Sequence, residues 1–137
     1  MQTGGRMTHS FWTNFILFLA GAVAAGIGLA GLIWPVAFHA SSGIVLGDNP
    51  SLMSEVRAPA AALLVAGGFI LASVRVARWR PAAIRVSAAV YLTYGLARVY
   101  SIAVDGAPDG MLLMAAAVEL IIGGICGMMI LRSRAAT

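Results

Sequence analysis

Lysine is missing from this chain of 137 residues; all nine basic residues are arginines. Acidic residues number only five, and charged residues of both signs make up 10% of the sequence. A soluble domain carries about a quarter charged residues, so this scarcity excludes an ordinary soluble fold. There is one cysteine, Cys126, which excludes an internal disulfide. With no Cys or His at metal-ligand spacing, it reads as a small packing residue. The two histidines, His9 and His39, also stand without matching ligands near them in sequence, so no metal site is expected. No nucleophile–base pair and no cofactor loop occur either. The chain therefore reads as non-enzymatic and without a cofactor.

What fills the sequence instead is apolar: 61% of residues are hydrophobic, with a mean hydropathy of +0.93. Four apolar runs, at 11–34, 56–77, 82–104 and 111–131, each approach the roughly 20 residues a helix needs to cross a bilayer. Their connections are too short for a second domain. The expected fold is an all-α, four-helix transmembrane bundle forming a single integral membrane domain over 1–137. The first run follows Arg6 and continues to Trp34. A secretory signal has an apolar region of only about 7–15 residues, so this run is expected to stay as a span.

A pI near 10.2 raises nucleic-acid binding as an option, but the placement of the arginines argues against it. Arg75, Arg78, Arg80 and Arg85 surround the second connection, Arg132 and Arg134 follow the fourth run, and Arg6 precedes the first. The first and third connections hold Asp48, Glu55, Asp105 and Asp109 instead. By the positive-inside rule, both termini and the 75–85 connection lie in the cytoplasm. That makes a multi-pass protein of the cell inner (cytoplasmic) membrane. Trp12, Trp34 and Trp79 fall at expected membrane borders, where an indole is at home. The four-arginine cluster has two readings that the sequence leaves open: a topology signal alone, or a seat for anionic lipid head groups as well.

Gly26-Ile27-Gly28-Leu29-Ala30-Gly31 matches a dinucleotide-binding fingerprint letter for letter. That fingerprint works only between a strand and a helix, and here it lies deep in an apolar run. Gly21, Ala25 and Gly28 form a stripe of small residues at helical spacing, which suits close helix packing in lipid.

The third run carries the informative polar residues. Ser87, Tyr91, Tyr94, Arg98, Ser101 and Asp105 follow one another at steps of three or four, which puts them on one helix stripe. Tyr100 lies on the opposite side. A charge at the centre of a membrane helix costs about 2.5–3.5 kcal/mol even on the lenient scale, so the stripe is expected to face inward and to meet a partner. Glu119 is the acidic residue inside the fourth run. At 1.5 Å per residue, Arg98 and Glu119 both fall about 10–12 Å below the outer surface. The short connection between the two runs makes them antiparallel neighbours. An Arg98–Glu119 pair is predicted, with Ala115, Ala116, Gly123 and Cys126 leaving room around it. Arg57 is expected to point into the same cluster, Pro59 to sit in the first turn of its helix, and Asp105 to close the network from above.

The candidate polar or ligand cluster is thus Arg57, Arg98, Glu119, Tyr91, Tyr94, Ser101 and Asp105. An Arg–Glu pair of this kind fixes helix register, or serves a ligand, ion or proton site, or meets another subunit; the sequence leaves these open. One function reading is an accessory subunit or small-ligand binder whose outward cavity uses Arg98 to hold an anionic or polar group. The alternative is a small oligomeric exporter or proton-coupled carrier, working as a homo-oligomer or in a larger membrane complex. The paired arginine weighs against proton exchange at Glu119.

The order Glu55-x-Arg57, Gly67-Gly68, Arg98-x-x-Ser101, Asp105-Gly106-x-Pro108 and then Glu119 resembles the bacterial integral membrane family called domain of unknown function 4345. The resemblance runs from about Gly21 to Leu131 and implies a four-helix membrane bundle without an assigned activity. A more distant similarity links it to the DoxX-like four-helix proteins. One departure is visible: Ala60 and Ala61 stand where the family pattern has an aromatic residue and a glycine.

The topology is open to a direct check. In a Cys126→Ala background, Asp48→Cys and Asp109→Cys should react with a membrane-impermeant maleimide added to spheroplasts. Ala77→Cys and Ala135→Cys should react only after permeabilisation.

Overall fold

In the computed structural model, which describes residues 4–135 and side chains from residue 11 onward, the chain is helical almost throughout. No strand occurs among the described residues. The side chains of Arg6 and His9 lie outside them. Four helices are long: α1 (Gly4–Ile33), α3 (Pro50–Arg75), α4 (Arg80–Asp105) and α5 (Gly110–Ala135). A short α2 (Pro35–Ala40) follows α1, and a single 3-10 turn, Ala77–Trp79, joins α3 to α4.

By length and composition, three segments suit a bilayer: Phe11–Ile33, Pro50–Arg75 and Gly110–Ala135. The segment expected as a further span, 82–104, is a helix of similar length, but its arginines, tyrosines and serines keep it out of that set. Large apolar side chains such as Phe18, Val65, Leu96, Ile121 and Leu131 point outward. Water would penalise so broad an apolar surface.

The long helices pair off, α1 with α3 and α4 with α5, and the contacts between the two pairs are far sparser. The sequence explains both tight seams. A Cβ on Gly28 would run into the Leu64 backbone nitrogen and lie 2.7 Å from the Ala60 carbonyl oxygen. One on Gly67 would strike the Ala25 backbone, and one on Gly21 would come within 2.8 Å of the Leu71 nitrogen. The small stripe at Gly21, Ala25 and Gly28 is therefore a backbone-to-backbone seam. Gly26, by contrast, faces open space, so the glycines of the apparent dinucleotide motif do not act together. In the second pair, leucine sits on glycine reciprocally: Leu120 covers Gly95 and Leu92 covers Gly123.

The end near the 3-10 turn is closely filled by Leu17, Ala20, Ile70, Ser73, Ala83, Ser87, Ile122 and Cys126. The opposite end, capped by α2, is looser. There α2 closes in a Schellman arrangement: Ile44 N–H donates to the His39 carbonyl at 3.0 Å, and Gly43 N–H to the Ala40 carbonyl at 3.0 Å. Gly43 supplies the left-handed φ of 72° that this stop needs.

Two sequence expectations change here. The second long helix begins at Pro50 instead of residue 56, because Asn49 caps it: its Oδ1 accepts from Ser51 N–H at 2.9 Å and from Leu52 N–H at 3.4 Å. Pro50 takes the first-turn position, so Pro59 lies inside the helix. With no N–H, Pro59 leaves the Glu55 carbonyl without its helical donor.

The seam generates a sharp contrast. Gly28→Ala and Gly67→Ala should each destabilise the protein by about 1–3 kcal/mol through overpacking. Gly26→Ala and Gly68→Ala, which meet nothing within 4 Å, should leave stability unchanged or raise it by up to about 1 kcal/mol through helix propensity. Unfolding in detergent measures both.

Candidate functional site

Because the two helix pairs touch mainly near the 3-10 turn, a gap opens between them at the α2 end. It forms a cavity of about 530 Å³, within the range of small-molecule sites. On α3 the lining residues are Val56, Pro59, Ala60 and Leu63, one helical face at steps of three and four. Val23, Ala24, Ile27 and Gly31 of α1 form a second wall. α4 contributes Val90, Tyr91, Tyr94 and Arg98, and α5 contributes Met111, Leu112, Met114, Ala115, Val118 and Glu119. Phe38, His39, Ser41, Ser42 and Ile44 roof it. Most of this lining is apolar, so the few polar groups stand out.

Arg98 and Glu119 meet directly. Arg98 Nε donates to Glu119 Oε2 at 2.9 Å, at the depth the two helices share. The leucine-on-glycine contacts let α4 and α5 approach closely enough for this. Glu119 is the more deeply held, with 10% of its side chain exposed against 31% for Arg98. A guanidinium carries five N–H donors, and Glu119 takes the one on Nε. The terminal Nη groups of Arg98 find no acceptor among the described residues.

Tyr91, about two turns below Arg98, is buried and donates its hydroxyl proton to the Ala20 carbonyl of α1 at 2.5 Å. It ties the second helix pair to the first and floors the cavity. Tyr94 lines the same space and is partly exposed. In the roof, His39 Nδ1–H donates to the Pro35 carbonyl at 2.8 Å, a bond one helical turn long that orients the ring.

Arg98, Glu119, Tyr91 and Tyr94 are thus gathered around one cavity. Arg57, Ser101 and Asp105 are not. Arg57 lies next to the cavity-facing Val56, about 100° further round the helix. It lines a separate shallow groove with Asp48, Met53, Ser54 and Ala61. Ser101 Oγ donates to Asp105 Oδ2 at 2.9 Å on the exposed surface of α4. A serine and an aspartate four apart on one helix satisfy each other, so neither reaches Arg98. The roof and His39 have no counterpart among the sequence expectations, because a six-residue α2 is too short to show a helical period. Pro35 after Trp34 and Gly43 at the stop were the available signals. Among the described residues, no three His, Cys, Asp or Glu side chains gather as a metal site.

The family model described as "Domain of unknown function (DUF4345)" matches residues 12–130. The chain belongs to this family. No curated protein and no solved structure matches it. The matched region takes in every helix contributing to the cavity. Ala60, at the departure from the family pattern, is one of the small residues on its wall.

The unequal burial of the pair predicts unequal mutants. Arg98→Ala strands the buried Glu119 carboxylate and should approach the roughly 3–5 kcal/mol loss of a broken buried pair. Glu119→Ala strands a guanidinium that is partly exposed and should cost less. A double Arg98→Met, Glu119→Met variant should recover most of the stability. Unfolding in detergent reads all three.

Proposed function

We propose that this protein is a non-enzymatic integral membrane protein that binds a small ligand in the cavity between its helix pairs, as a stand-alone binder or an accessory subunit. In this reading all four long helices cross the cell inner membrane as a bundle. Both termini and the Ala77–Trp79 turn face the cytoplasm, and the cavity lies in the outer half. The arginine-rich turn and the acidic residues at the opposite end support that orientation.

One observation carries the binding reading: the Arg98 guanidinium stands on the wall of a mostly apolar cavity, and its Nη donors meet no acceptor among the described residues. A pin alone needs the carboxylate contact; it needs neither the cavity nor the spare donors. The roof adds polar groups at His39, Ser41 and Ser42. The carrier reading fares less well, since Glu119 is engaged by Arg98 at 2.9 Å.

Arg75, Arg78, Arg80 and Arg85 form a second proposed contact, with anionic lipid head groups. Trp79 stacks on Phe69 with ring centroids 5.6 Å apart, and the Arg78 guanidinium lies 6.0 Å from the Trp79 ring. Arg80 Nη2 donates to the Val74 carbonyl at 3.4 Å. These contacts hold the basic turn against the helix ends, where head groups pass.

Native mass spectrometry of protein purified in mild detergent tests the cavity. The wild type should carry a stoichiometric small-molecule adduct, and Ala115→Phe, which fills the cavity, should lose it. Val65→Phe, on the outward face of α3, should keep it. An adduct that survives Ala115→Phe refutes binding at this site.

A further inference from the structure

We infer that the cavity selects an uncharged ligand: an apolar molecule carrying a carbonyl or similar hydrogen-bond acceptor, which the terminal Nη donors of Arg98 hold while Glu119 cancels the arginine's charge. This deepens the binding reading and rests on it.

The charges of the pair on the cavity wall balance. Arg98 is the cation on the cavity wall and Glu119 the anion, and they are joined at 2.9 Å. Their sum is zero. An anion entering the apolar cavity loses its hydration, at a penalty of several kcal/mol per ion, and meets no net opposite charge to offset it. A neutral carbonyl loses far less on leaving water. It still gains the hydrogen bonds, and bonds from a charged donor are the stronger kind. Glu119 is the more buried partner, and its Oε2 accepts from Nε. That bond fixes the guanidinium plane and leaves the fork formed by the two Nη groups to meet the ligand.

Two of the other polar groups have already given a proton within the protein, which leaves the donating to Arg98. Tyr91 has committed its proton to Ala20, so its hydroxyl is left to accept. His39 has committed Nδ1–H to the Pro35 carbonyl. Apolar side chains dominate the rest of the wall, with Ile27, Met114 and Val118 exposed at its margin. α1 and α5 do not pack closely. A molecule dissolved in the lipid therefore has an apolar route in, between the two helix pairs, without crossing a charged surface.

Three probes of one chain length separate the head groups: 2-undecanone, undecanoate and undecane. Each is added at equal mole fraction to the protein in phosphatidylcholine nanodiscs at pH 8, where an ordinary imidazole is neutral. The ketone should raise the unfolding midpoint by about 3 °C or more and the other two by less than about 1 °C. The ketone alone should also move the Arg98 side-chain ¹⁵N–¹H resonances. In Glu119→Gln the site carries a net positive charge, and the order should reverse in favour of undecanoate. If undecanoate stabilises the wild type as well as the ketone does, charge selection is refuted, though binding in the cavity stands. If undecane matches the ketone, the role of Arg98 is refuted and the cavity is a plain apolar site. If none of the three has an effect, the binding reading falls with the inference. The wild-type series decides these outcomes by itself if Glu119→Gln fails to fold.

Discussion

A guanidinium among apolar side chains must meet a carboxylate, and that requirement governs how α4 and α5 lie against each other. Arg98 and Glu119 stand at matching depths on antiparallel helices, one short turn apart in sequence. Their 2.9 Å contact fixes the axial register of the hairpin. The leucine-on-glycine contacts then follow, since Leu120 is adjacent to Glu119 in sequence and meets Gly95, one turn before Arg98. A shift of one helical turn would separate the charges and lift both leucines off their glycines. Ion pair and packing therefore specify the same alignment.

The other hairpin is organised without charge. α1 and α3 touch through glycine and alanine, backbone on backbone, and they meet the second hairpin chiefly near the 3-10 turn. Tyr91 ties the two together through its bond to Ala20. Above that link the hairpins diverge, and the space between them becomes the cavity. Its charged wall comes from the hairpin that needed an ion pair; the wall contributed by α1 and α3 is apolar throughout.

Much of this was legible in the sequence. The long helices announced themselves through apolar length, the close α1–α3 seam through the Gly21, Ala25 and Gly28 spacing, and the Arg98–Glu119 contact through equal depth and opposite sign. The errors share a cause. Arg57 sits one residue from a cavity-facing position, and 100° of helix rotation sends it into another groove. The Ser101–Asp105 bond is internal to α4, an option that stripe periodicity does not distinguish from inward orientation. Pro59 was read as a first-turn proline because the Asn49 cap and Pro50 lie outside the apolar run. α2 is too short for its period to register, so the roof and His39 went unrecognised.

The seam between α1 and α3 has an entropic consequence. Glycine has no side-chain rotamers to lose and alanine next to none. Two helices joined through such residues freeze almost nothing beyond the backbone they had already ordered. Two side chains with high torsional freedom, Met111 and Met114, stand around the cavity, where unbranched methionine adapts to irregular shapes. The molecule thus keeps adaptable side chains where a guest's outline has to be matched, and small rigid ones along the α1–α3 seam.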